Sequence, residues 1–259
     1  DNTYKLKDYN YTFSGNIEKS KFKLINPVKN PIVKDKIEEI YFSDLEIKTI
    51  LKPKYINLKS SGKYSFNNLD YSIINLENIL KNDLVNLKLD FDYLKELELG
   101  LINFKKKKNS NAKIRINIEK NKDFMNIIKL NFKEKNNLIE IDNLKFKDNK
   151  FLSFKTIKVA TENNNFLIQS GKKILIKGSK FDASNISKFL NNQKNNRNLK
   201  NINSDIEIDF KNIRFPMSEK LQNFKLLGEI KKGQFIKISS KGDFGENNFL
   251  DISMKKDED

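Results

Sequence analysis

Two stretches near the middle of the chain, KIRINIE at residues 113–119 and IIKLNFK at residues 127–133, decide how the rest is read. In the first, Ile114, Ile116 and Ile118 alternate with Arg115 and Asn117. In the second, Ile128, Leu130 and Phe132 alternate with Lys129 and Asn131. Residues two apart share one face of a strand. Each stretch therefore predicts a strand with one oily face and one wet face.

Working outward, the same period returns almost everywhere. Residues 138–147 carry Ile139, Ile141, Leu144 and Phe146, with Asp142-Asn143 expected at a turn or bulge where the phase slips. Residues 204–210 carry Ile206, Ile208 and Phe210, and 213–215 read as a further short strand. Residues 154–159, 166–170, 173–178, 226–230, 235–239 and 249–254 continue the series, punctuated by Asn163-Asn164-Asn165, Gly171, Gly178, Gly228, Gly233, Gly242 and Gly245. Toward the N-terminus, residues 9–17, 21–24, 55–66 and 84–101 alternate. Residues 39–51 do so with a phase slip between Phe42 and Leu45. Ser60-Ser61-Gly62 reads as a hairpin turn, and Pro27 and Pro31 exclude a central strand around them. In all, 14–18 strands are expected, as in an all-β array with turn signals every 8–12 residues.

Two segments break the period. In residues 75–82 (NLENILKN), Leu76, Ile79 and Leu80 fall at helical spacing. In residues 181–190 (FDASNISKFL), Asp182 or Ser184 can cap a helix carrying Ile186, Phe189 and Leu190. Two short helices are expected there. Residues 191–203 are Asn-rich and read as a loop and as a possible sub-boundary within one continuous repetitive β segment spanning 1–259.

Composition agrees with strands. The chain has 32 Ile, 27 Leu and 20 Phe but only three Ala, at 112, 160 and 183. Helical chains use Ala freely, whereas Ile and Phe suit pleated, half-buried surfaces. The 38 Asn favour turns. There is no His and no Cys, which excludes Ser-His-Asp and Cys-His nucleophilic sites and zinc sites with His or Cys ligands. Carboxylate pairs such as Asp90/Asp92 and Asp205/Asp209 fall on the polar strand faces and read as solvated charge, so no catalytic residue, cofactor or metal site is expected. The net charge of +16 invites an anionic partner. Yet Arg115, Arg197 and Arg214 are the only Arg, and phosphate recognition favours the Arg fork. The run Lys105-Lys106-Lys107-Lys108 reads as a solvated turn beside Asn109-Ser110-Asn111. The chain starts at Asp1 without Met and reads as a piece of something longer. No run of 18 or more apolar residues could span a bilayer.

So many strands need a cover for their apolar faces, and few helical residues are available. Either the sheet folds onto itself or something else, such as lipid tails, fills the trough. At the C-terminal end the order of elements resembles a known family. It runs through Gly178-Ser179-Lys180-Phe181-Asp182-Ala183-Ser184, a short apolar helix to Leu190, a polar gap, then Ser204-Asp205-Ile206-Glu207-Ile208-Asp209-Phe210. Leu221-Gln222-Asn223-Phe224-Lys225-Leu226-Leu227-Gly228-Glu229-Ile230 and Gly233-Gln234-Phe235-Ile236-Lys237-Ile238-Ser239 follow. This is similar to the AsmA-like/TamB-like superfamily of bacterial envelope proteins, in particular the central domain of its YhdP-like members. The likeness covers about 80 residues, from 178 through 239 with their flanks.

The resemblance implies an all-β fold: a long, curled, mainly antiparallel sheet forming a taco-like groove of repeated strands, with the two short helices. It implies a periplasmic, cell-envelope location with an inner-membrane tether outside this chain, and a non-catalytic role in shielding or conducting phospholipid between the inner and outer membranes in support of outer-membrane integrity. The expected partners are phospholipid or another acyl lipid and the two membranes, with no nucleic acid. The lipid-groove candidates are Ile114, Ile116, Ile118, Ile128, Leu130, Phe132, Leu144, Phe146, Ile206, Ile208 and Phe210. A basic nucleic-acid-binding β domain and a structural or adhesive surface β-solenoid are the alternatives.

Overall fold

A computed structural model of the chain describes residues 8–30, 32–186, 202–215 and 221–256. The strands are β1 (Tyr11–Asn30), β2 (Val33–Lys52), β3 (Tyr55–Ser65), β4 (Ser72–Lys81), β5 (Leu84–Tyr93), β6 (Leu97–Leu99), β7 (Phe104–Lys106), β8 (Ala112–Lys120) and β9 (Phe124–Glu134). They continue as β10 (Asn137–Lys147), β11 (Lys150–Ser153), β12 (Thr156–Ala160), β13 (Asn165–Ser170), β14 (Ile174–Asp182), β15 (Ser204–Arg214), β16 (Leu221–Lys231), β17 (Gln234–Gly245) and β18 (Asn248–Lys255). One 3₁₀ turn, Gly100–Ile102, joins β6 to β7.

Sixteen strands form one open sheet in the order β1-β2-β3-β4-β5-β8-β9-β10-β12-β13-β14-β15-β16-β17-β18, with β11 attached to β10; β6 and β7 pair separately. Every neighbour pair is antiparallel except β14–β15, which is parallel and carries the sheet unbroken across the position of the 191–203 segment. Several tight hairpin turns place two left-handed residues in succession, as at Asn82-Asp83, Asp148-Asn149, Lys232-Gly233 and Glu246-Asn247. That conformation matches the twist of the flanking strands and is cheapest for Asn, Asp and Gly.

The all-β reading holds, and three of its details do not. Residues 75–81 are strand, in β4, and Asn82 opens the turn that follows; Leu76 and Leu80 face the same way as neighbouring apolar residues and Ile79 faces the other way. Two flanking strands supply a ladder that outweighs a weak local helical spacing. Of the 181–190 helix, Phe181 and Asp182 end β14, and residues 187–190 lie outside the described residues. Ser60-Ser61-Gly62 is no turn but the middle of β3, and Gly178, Gly228 and Gly242 are likewise inside β14, β16 and β17. Residues 213–215 are no separate strand, since β15 runs on through Arg214. At Gly62 the phase slip of β2 is the cause. Asp44 adopts φ 53°, the β2–β3 register shifts there, and a Cβ on Gly62 would lie 2.6 Å from the Asp44 carbonyl oxygen. The second expected slip is at Asn143, with φ 52° inside β10.

The sheet is curled. Residues 94–110, inserted between β5 and β8, form a strap across one end of it. On one side the Glu98 N–H donates to the Ile32 carbonyl at 3.1 Å, just before β2. On the other, the Asn103 amide donates to the Asp182 carboxylate at 3.0 Å, at the end of β14. In a flat sheet β2 and β14 would be nine strand spacings apart, about 43 Å. Five residues of strap reach about 17 Å at full extension. Only a trough can bring both walls within that reach.

Candidate functional site

The apolar residues of successive strands line up into rows along the inner face. Nearest the strap, Phe91, Ile114, Phe132, Ile139, Val159, Phe166, Gly178, Phe210 and Phe224 stand opposite one another in turn. Next come Leu76, Leu89, Ile116, Leu130, Ile141, Ile157, Ile168, Ile176, Ile208 and Leu226. Farther still are Leu58, Asn78, Leu87, Ile118, Ile127 and Leu144, and beyond them Tyr11, Leu51, Ile56, Leu80 and Val85. On the C-terminal wall Ile174, Ile206, Gly228, Ile238 and Met254 align.

Burial falls steeply along this face. In the row under the strap Phe132 is 4%, Val159 3% and Phe210 3% exposed. The second and third rows are only half-buried, and at the edge strand Phe13 reaches 56%. The strap accounts for the gradient. Phe104 meets Phe132 edge-on at 5.8 Å, and Ile102, Phe104 and Tyr93 join the core with Ile114 and Phe166. The opposite end of the sheet is made of tight turns at 53–54, 82–83, 121–123, 148–149, 171–173 and 232–233, and among the described residues nothing comparable crosses it. The chain's accessible surface of 18,321 Å² exceeds by several thousand Å² the roughly 11,800 Å² of a compact monomer of its mass.

No match to this chain is found among protein-family models, curated proteins or solved structures.

The strap is fixed by buried polar groups. Asn164 donates to the Ile102 carbonyl at 2.7 Å and accepts from the Asp182 N–H at 2.9 Å. Asp182 also accepts from the Ser184 N–H at 3.0 Å. Burial alone would raise the Asp182 carboxyl, but the bonds from Ser184 and Asn103 and the charge of Arg214 outweigh it and hold the group below the usual carboxylate range. Lys106, in the run expected to be solvated, is 1% exposed. Its ammonium donates to the carbonyls of Lys95 at 2.8 Å and Lys107 at 3.1 Å and lies over the Tyr93 ring. Burial pushes it down, against the raising effect of Glu134. Glu134 in turn accepts from Ser110 and from Asn137.

Between strap and sheet lies a cavity of about 370 Å³ lined only by apolar residues. Leu101 and Ile102 come from the strap. Ile168, Ile176, Ile208 and Leu226 belong to the second row, so the cavity floor continues into the uncovered trough. The outer face is different in kind. Glu77 is held between Lys59 and Lys88, each at 3.0 Å, Asp90 pairs with Arg115 and Lys113, and Glu207 pairs with Lys173 and Lys177. The basic charges there largely answer local carboxylates.

Of the candidate residues, Ile114, Phe132 and Phe210 fall in the buried row, Ile116, Leu130 and Ile208 in the second, Ile118 and Leu144 in the third. Ile206 stands beside Ile174, and Phe146 across from Met125. Ile128 does not align with them. The β8–β9 ladder shifts between Asn117 and Ile118, so Ile127 takes the place opposite Ile118 and Leu144. The strap and the cavity it roofs are not in the sequence reading, which runs the alternation of 84–101 through residues 94–101 and takes Lys105–Lys108 as a solvated turn.

Proposed function

We propose that this chain is a non-catalytic segment of an AsmA-like envelope protein that shields or conducts phospholipid between inner and outer membranes along its apolar trough. The observation that carries the reading is the set of apolar rows running across the sheet while, among the described residues, only the row at the strapped end is covered. Uncovered rows of Ile, Leu and Phe in water are unfavourable by about 25 cal/mol per Å². Acyl chains relieve that cost at about 0.8 kcal/mol per methylene buried. Many equivalent apolar positions along the trough would let a chain shift without a large barrier, and Lys residues at the rim can meet a lipid phosphate. The tether and the membranes would be reached through parts of the protein outside this chain.

Native mass spectrometry of the purified chain tests the proposal. Retained phospholipid, lost on detergent exchange, is the expected result. A lipid-free chain that also fails to take up phospholipid from vesicles, or one retained on DNA in a salt-sensitive way, overturns it.

A further inference from the structure

We propose that the cavity under the strap receives the methyl end of one acyl chain, so that the strap marks a closed end of the trough. The inference rests on the lipid-shielding reading and adds a site and an orientation to it. The cavity of about 370 Å³ is more than twice the roughly 150 Å³ that holds a benzene in an apolar protein interior. It has room for several methylenes. Its walls are Phe, Ile, Leu and Ala, with no polar side chain. A head group entering it would lose its water and find no partner.

The buried polar groups that fix the strap give no alternative anchor. Asn103, Asn164 and Asp182 are engaged with one another and with the strap backbone, and Asp182 carries the same sign as a lipid phosphate. A chain running along the strands, across the third and second rows toward the strap, would therefore arrive under Leu101 and Ile102 methyl end first. Its carboxyl or glycerol end would remain toward the far end of the trough, where the turns leave the face open. Passage beyond this point would require the strap to lift off both walls.

The chain contains no Trp, so a single one reports locally. F224W places an indole at the cavity wall, F215W places another there in case the first variant does not fold, and L87W places one in the uncovered third row. Each is titrated with stearic acid bearing a nitroxide near its methyl end or near its carboxyl end. The F224W fluorescence should be quenched several-fold more by the methyl-end label, and L87W should be quenched by both. If L87W is quenched while F224W and F215W ignore both labels, or respond more to the carboxyl-end label, the tail pocket is refuted and lipid shielding stands. If no variant is quenched by either label, lipid shielding fails and the pocket fails with it.

Discussion

The Asn103 side chain reaches the Asp182 carboxylate at 3.0 Å from 79 residues away in sequence, and this bond fastens the strap to the far wall of the trough. Asp182 is buried and accepts from Asn103 and Ser184, so its charge is favoured by donors rather than by water. Its folded pKa is lowered from the unfolded value of about 3.9. A lowered carboxyl adds stability that is complete above about pH 5 and drains away as pH falls through the folded value. D182N should lower the unfolding free energy by about 1–3 kcal/mol at pH 7. In urea titrations that difference between wild type and variant should shrink progressively as pH falls below about 4. A difference that stays constant with pH would show that the carboxylate charge plays no part in holding the strap.

Gly178 stands between Phe166 and Phe210 in the most buried row. A Cβ there would lie 2.5 Å from the Asn165 carbonyl oxygen, 2.6 Å from the Phe166 Cβ and 2.7 Å from the Phe210 ring. Backbone and packed rings cannot step aside cheaply, so G178A should cost about 1–3 kcal/mol by overpacking. G171A meets open space in a turn and should change stability by less than about 0.5 kcal/mol. Denaturant midpoints of the two variants give the comparison, and equal effects would contradict the close approach.

These glycines also show where sequence reading stops. Alternation is a local property, so β8 and β10 were legible residue by residue and β9 and β15 in outline, as were the slips near Asp44 and Asn143. A glycine is equally consistent with a turn and with a neighbour that crowds its Cα. Gly62 and Gly178 are of the second kind because of Leu45 and Phe210, which lie far along the chain. The choice between Ile127 and Ile128 depended on a bulge against β8, and the parallel β14–β15 pairing on partners that no local pattern names. The strap was hidden for the same reason: Glu98, Asn103 and Lys106 find their contacts through the curl of the whole sheet.

Phe210 and Ile116 should separate folding from lipid retention. Phe210 is buried against Phe166 at 5.9 Å and Phe181 at 5.5 Å, and F210A should cost about 3–5 kcal/mol. Ile116 is half-buried in the second row. I116D should cost only about 1–2 kcal/mol, because water can still reach the new carboxylate. It should nevertheless lower the phospholipid retained in native mass spectra more than F210A does in its folded fraction. A loss of several kcal/mol on I116D would mean that the second row is sealed.

Asn78 stands in the third row between Leu58 and Leu87, and its side-chain oxygen is buried without a hydrogen-bond partner. A buried acceptor left unpaired costs about 1–3 kcal/mol, and an apolar side chain of similar shape escapes that cost. N78L should therefore raise the unfolding free energy of the lipid-free chain by about 1 kcal/mol or more. It should also make the row continuous, so that acyl-chain uptake from vesicles is at least as strong as in wild type. Should N78L destabilise the chain instead, Asn78 must hold a partner in solution, such as an ordered water or a lipid ester, and comparing lipid-free with lipid-loaded protein by the same unfolding measurement tells these apart. A bound lipid stabilises the wild type more than the variant only if its polar end contacts Asn78.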